Sequence, residues 1–131
     1  MARDRLLLDT HALIWWWLCD PTLPVAMRDH IENPATDVFV SAITALELAI
    51  KVRLNRLPRI KAILDRYDDA LADDRMTAIP ISADHAIIAG LLPGKHRDPF
   101  DRLLAAQALM EDLKLVTCDR EIAAFGCKVL W

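Results

Sequence analysis

A chain of 131 residues, 54% of them hydrophobic, is long enough for one domain with its own apolar core and needs no staples to hold it. Its net charge of −3, from 16 basic and 19 acidic residues, argues against a basic nucleic-acid coat but not against an enzyme that concentrates charge locally. The longest uninterrupted apolar run, residues 12–19, is far short of the ~20 residues of a membrane span, and Asp4 and Asp9 interrupt any leader-like start.

In chain order, residues 5–9 read as a buried strand, a short aliphatic run ended by a polar residue. A helix is predicted over 12–18, broken by "DPTLP", and an amphipathic helix over 25–32. The turn "ENPATD" leads into a β-rich strand at 38–41. A helix follows over 44–54, and another over 58–71 with Pro58 in its first position. "MTAIPI" is a third strand, and Ser82 caps a helix with Gly90 near its end. A loop at 92–99 precedes a helix over 100–112. A fourth strand at 113–118, a short helical turn and a closing strand at 127–131 complete the chain. Strands alternating with helices predict a parallel sheet with helices on its faces. Ligands of such sheets bind at the carboxyl ends of the strands, where the strand order switches. Asp9 and Asp119 both follow strands and are candidates for one rim.

Cys19, Cys118 and Cys127 are an odd set without C-x-x-C spacing, so neither a disulfide framework nor a structural zinc site is expected, and a reducing cytoplasm fits best. His11, His30, His85 and His96 are scattered, and surface or capping roles are expected for them.

The acids carry the chemistry, and each has a purely structural alternative. Asp9, Asp98 and Asp119 each stand where a helix N-cap is wanted, and Pro99 strengthens this for Asp98. Asp101 falls in a first helical turn, where an acid complements the dipole. Glu47 sits among Ala45, Leu46, Leu48, Ala49 and Ile50. Thr44-x-x-Glu47 fits a capping box, and Glu47 with Lys51 forms an i,i+4 pair. Such a pair contributes only ~0.2–0.5 kcal/mol, too little to offset burial of a carboxylate; a bound cation does so. Carboxylates brought together suit Mg²⁺ or Mn²⁺ and stay ionised near neutral pH with a dication between them.

Four segments, "LLLDTHALIW", "SAITALELAIK", "HRDPFDRLLAAQA" and "LVTCDREIAAF", resemble those of PIN-domain ribonucleases, and among them the VapC-type toxins of bacterial toxin–antitoxin pairs, in the family's order and spacing. The resemblance implies a single PIN domain over residues 1–131, a three-layer α/β/α fold with a five-stranded parallel sheet of order 3-2-1-4-5. By motif position, Asp9, Glu47, Asp101 and Asp119 match the acidic quartet, and Asp98 an additional acid of a subgroup. It further implies a VapB-type antitoxin partner and a homodimer.

The expected reaction is Mg²⁺- or Mn²⁺-dependent hydrolysis of RNA phosphodiesters, with Asp9, Asp101 and Asp119 as main ligands and Glu47 positioning or deprotonating the attacking water. Two basic clusters are candidates for phosphate contact: Lys51, Arg53, Arg56 and Arg59 in "KVRLNRLPRIK", and Lys95 and Arg97 beside the acids. Trp15, Trp16 and Trp17 point ~100° apart on a helix, so at least one is expected to meet a partner or solvent. Two alternatives remain. An aspartyl-phosphate phosphatase has Asp9 as nucleophile, but His11 stands where its second aspartate belongs. A non-catalytic module uses the acids only as caps.

Overall fold

The computed structural model describes residues 3–131, so Met1 and Ala2 of the expected domain lie outside the described residues. The leucine run forms β1 (Asp4–Leu8), in which Leu6, Leu7 and Leu8 are all fully buried. Successive strand side chains point to opposite faces. Leu6 and Leu8 accordingly pack with Leu13, Val38, Val40 and Leu48 on one side, and Leu7 with Leu104, Leu115 and Ile122 on the other. A strand covered on both faces has no polar alternation, which accounts for "LLL".

β2 (Thr36–Ser41) pairs with β1, and β3 (Met76–Ile79) with β2. β4 (Lys114–Val116) lies on the other side of β1, and β5 (Val129–Leu130) beyond it. All pairings are parallel and the order is β3-β2-β1-β4-β5, as expected. The helices are α1 (Thr10–Trp17), α2 (Val25–Glu32), α3 (Ala42–Arg53), α4 (Pro58–Leu64), α5 (Tyr67–Asp73), α6 (Ala83–Leu91), α7 (Pro99–Met110) and α8 (Arg120–Ala123). Chain direction across the sheet reverses at β1, which makes the carboxyl ends of β1 and β4 the switch point. The Asp9 N–H donates to the Val116 carbonyl at 3.1 Å, so the ladder continues to the rim itself.

Several expectations are corrected. The helix predicted over 58–71 is two, broken at Asp65 and Arg66; Arg66 has φ −134° and ψ 40°. No proline or glycine marks this break; each half turns its own apolar residues, Ile60 and Ile63 or Tyr67 and Leu71, into the same core. Helix α3 begins at Ala42 with Ser41 as its N-cap, so Thr44 is an interior residue and heads no capping box. Nor is α3 enclosed by its apolar neighbours: Leu46 is 51% exposed. The three tryptophans, in contrast, agree with expectation: none is fully buried, and each packs half-buried against its own chain with part of its surface open to solvent. Trp16 and Trp17 both donate to Asp74 Oδ2 at 3.1 Å, and Trp15 meets Trp131 edge-on at 5.5 Å. Among the described residues no helix is long and apolar enough to cross a membrane.

Candidate active site

Each acid reaches the rim by its own element. Asp9 ends β1 and is the N-cap of α1, its Oδ1 accepting from the Ala12 N–H at 2.7 Å. It is 6% exposed. Burial pushes its carboxyl up, and the Glu47 charge adds to this; hydrogen bonds from the Thr117 hydroxyl and the Ala12 N–H oppose it. Glu47 projects from α3 and accepts the Thr10 hydroxyl at 2.8 Å. The Thr10 and Thr44 hydroxyls lie 3.3 Å apart in a buried contact, and Lys51 Nζ stands 3.9 Å from Glu47 Oε2.

From the opposite side, Asp98 caps α7, accepting the Phe100 N–H at 2.9 Å, with Pro99 in the first position. Asp101 follows in the first turn of α7. Burial pushes Asp101 up to about 6, the Asp98 and Asp119 charges add to it, and His96 opposes it. Asp119 caps α8, accepting the Glu121 N–H at 2.9 Å, while its own N–H donates to Thr117 Oγ1 at 3.0 Å.

Asp9, Glu47, Asp98, Asp101 and Asp119 line one cavity of about 290 Å³, shared with Thr10, His11, His96 and Cys118. Capping and convergence therefore do not compete. Each capping aspartate commits Oδ1 to a helix amide, and all three still line the cavity. The helix amides also stabilise negative charge that would otherwise spread these side chains apart. The Cys118 thiol is pushed up by burial and by the Asp9 and Asp119 charges, which keeps it from ionising beside them.

The basic candidates divide. Lys51 stands beside Glu47. Lys95 and Arg97 line an adjoining cavity of about 430 Å³ with His96, Glu121 and Phe125. Arg53, Arg56 and Arg59 are exposed at the end of α3, the turn beyond it and the start of α4, and none lines the acidic cavity.

Three polar residues escaped sequence reasoning. His96, assigned a surface or capping role, instead places Nε2 at 2.7 Å from Asp101 Oδ2 and Nδ1 at 2.8 Å from Glu121 Oε2. Asp101 draws its imidazole up in pKa. The available signal was H-x-D-x-x-D in "HRDPFD". Thr10, next to Asp9, orients Glu47. Arg102 donates to the carbonyls of Ala89 at 2.8 Å and His96 at 2.7 Å, and also to those of Gly90 and Leu92. It thereby satisfies the open end of α6 and anchors the loop that carries His96.

A parallel sheet with an acid-lined crevice at its switch point defines the class, and the sequence settles the family. Residues 6–126 match the PIN domain, and the chain belongs to that family. It is 30% identical over 119 residues to ribonuclease VapC22 of Mycobacterium tuberculosis (strain ATCC 25618 / H37Rv), covering 89% of this chain and 88% of that protein. Among solved structures, FitAcB from Neisseria gonorrhoeae superposes with a TM-score of 0.66 at 26% identity, covering 96% of each chain. VapBC2 from Rickettsia felis, bound to a DNA fragment from its promoter, shares the fold with a TM-score of 0.70 at 18% identity, covering 96% of this chain and 97% of that one.

Proposed function

We propose that this protein is a divalent-metal-dependent ribonuclease of the VapC type, the toxin of a toxin–antitoxin pair acting in the cytoplasm. The observation that carries this is the convergence of Asp9, Glu47, Asp98, Asp101 and Asp119 on one cavity. Kinship with ribonuclease VapC22 supplies the substrate class. The residues present fit a divalent cation. Their donors are predominantly carboxylate oxygens, which suit Mg²⁺ or Mn²⁺. Two of the carboxylates, Asp9 and Asp101, resist ionisation where they stand, a cost that a cation relieves.

Asp9, Asp101 and Asp119 would hold the cation, and Asp98 lines the same cavity. When bound, the cation supplies charge neutralisation at the phosphate and acidifies water. Glu47, fixed by Thr10, takes the proton of the attacking water, whose oxygen adds to phosphorus as the bond to O3′ breaks, and the departing O3′ takes a proton from solvent water. The products carry a 3′-hydroxyl and a 5′-phosphate, and the RNA 2′-hydroxyl is not needed. Lys51, beside Glu47, attracts the RNA backbone together with Lys95 and Arg97.

Two partners belong to this proposal. Solved relatives include a toxin–antitoxin complex from Klebsiella pneumoniae, and a VapB-type antitoxin is the corresponding partner here. Ile87 and Leu91 stand 57% and 75% exposed one turn apart on α6, an apolar stripe suited to a homodimer. The phosphatase alternative loses ground because the chain is a PIN domain, with His11 where a second aspartate belongs.

The test is RNA cleavage by the purified, partner-free protein with Mg²⁺ or Mn²⁺, followed by end analysis. Cation-dependent cuts leaving 5′-phosphates are expected. Cyclic 2′,3′-phosphate ends, or cutting that survives full chelation, would contradict the assignment.

A further inference from the structure

The acids account for an oxygen-only cation site, yet the structure adds a nitrogen. A ring nitrogen of His96, a carboxylate oxygen of Asp101 and one of Asp119 all lie within 4.8 Å of one another, close to the ~4 Å that separates opposite ligands of one ion, and Nε2 is the nitrogen on the Asp101 side, 2.7 Å from its Oδ2. The other ring nitrogen is committed elsewhere. Nδ1 meets Glu121 Oε2 at 2.8 Å, on the far side of the ring from Asp101. A carboxylate on one imidazole nitrogen fixes the tautomer and aims the lone pair of the other, the arrangement found behind metal-bound histidines. The loop that delivers the ring is held by Arg102, which accepts no proton and donates to the His96 carbonyl at 2.7 Å. The ring also abuts Phe125, with centroids 6.0 Å apart, so its plane is packed as well as hydrogen-bonded.

We propose that His96 is a nitrogen ligand of the cation site, oriented by Glu121, and that it biases the site toward Mn²⁺ and later first-row divalent ions over Mg²⁺. This rests on the metal-dependent assignment above. Mg²⁺ is a hard ion that favours oxygen donors, whereas affinity for nitrogen-containing sites rises from Mn²⁺ through Co²⁺ and Ni²⁺. Glu121 is a positioning residue that acts through the ring. The competing account makes His96 only a counter-charge for Asp101 that never touches the ion.

The experiment uses untagged full-length protein, with Mn²⁺ and Mg²⁺ alone as probes. Binding is measured by calorimetry, and pulsed electron paramagnetic resonance on the Mn²⁺-loaded protein reads nitrogen coupling directly. The wild type should show nitrogen coupling. His96→Gln should abolish it and weaken Mn²⁺ binding about 10–100-fold while changing Mg²⁺ binding far less. His11→Gln, which alters the other imidazole of the cavity, should leave the coupling intact. Glu121→Gln should retain the coupling with modestly weaker Mn²⁺ binding. Mn²⁺ binding without nitrogen coupling in the wild type, a measurement that needs no variant to fold, would overturn the role of His96 and leave the cation site standing. Equal losses for both ions in His96→Gln would overturn the selectivity. If the wild type binds neither ion, the cation site and the proposal fall together.

Discussion

The Thr10 hydroxyl donates to Glu47 Oε1 at 2.8 Å, so the first residue of α1 fixes a carboxylate that α3 carries. A hydroxyl beside the strand-end aspartate thus couples the two halves of the acidic rim. Thr10→Val keeps the shape and removes the donor. It should lower ribonuclease kcat about 10-fold and cost about 1–2 kcal/mol of stability, whereas Thr10→Ser should restore most of both. Single-turnover cleavage and denaturant unfolding read the two effects.

In the metal-free protein, Asp101 ionises near 6 when folded, against an ordinary value of 3.8. Between those values the folded chain holds a proton that the unfolded chain has lost. The stability this group contributes is therefore full below its unfolded pKa and disappears as pH rises through 6. Asp9 is raised too and acts in the same direction, while His96, raised from 6.5, extends the fall to higher pH. Melting temperature should fall as pH rises over this window, and Asp101→Asn should flatten the fall. Melting curves across the range, with chelator present, check this.

Arg102 donates to four backbone carbonyls and lies over the Phe125 ring at 5.2 Å. Arg102→Ala leaves those carbonyls unpaired and should destabilise by about 2–4 kcal/mol. Arg102→Lys should recover little, because an ammonium cannot reproduce the planar fork. Urea unfolding midpoints separate the cases.

Lys95 and Arg97 border the cavity that adjoins the acids, whereas Arg56 and Arg59 lie away from it. Reversing the first pair to Glu should weaken RNA binding more and lower the salt slope by about 1 per lost phosphate contact. Equal effects from both pairs would place the RNA along α3 and α4 as well.

The alternation of strand and helix, the buried leucines and each acid's capping position were legible because they follow from local periodicity and turn chemistry. Strand order came from family resemblance rather than from pattern. The break at Arg66 was hidden because its cause is tertiary: both halves must meet one core, and neither has a breaker. The apolar residues around Glu47 imply burial, yet Leu46 faces outward, because composition does not say which side of a helix meets the core. His96 carries no paired-histidine signal in the sequence, because its partners are carboxylates at Asp101 and Glu121. Capping and convergence were set against each other, although a carboxylate has two oxygens and can serve both.

The central claim, that these acids form a cation site and are not merely caps, is tested most directly by Asp9→Asn. Asparagine caps a helix about as well as aspartate but carries no charge. In a calorimetric titration with Mn²⁺, the wild type should bind and the Asn variant should lose about 100-fold or more in affinity while keeping its helical circular dichroism. Mn²⁺ binding by a folded Asp9→Asn protein at the wild-type affinity would contradict the account.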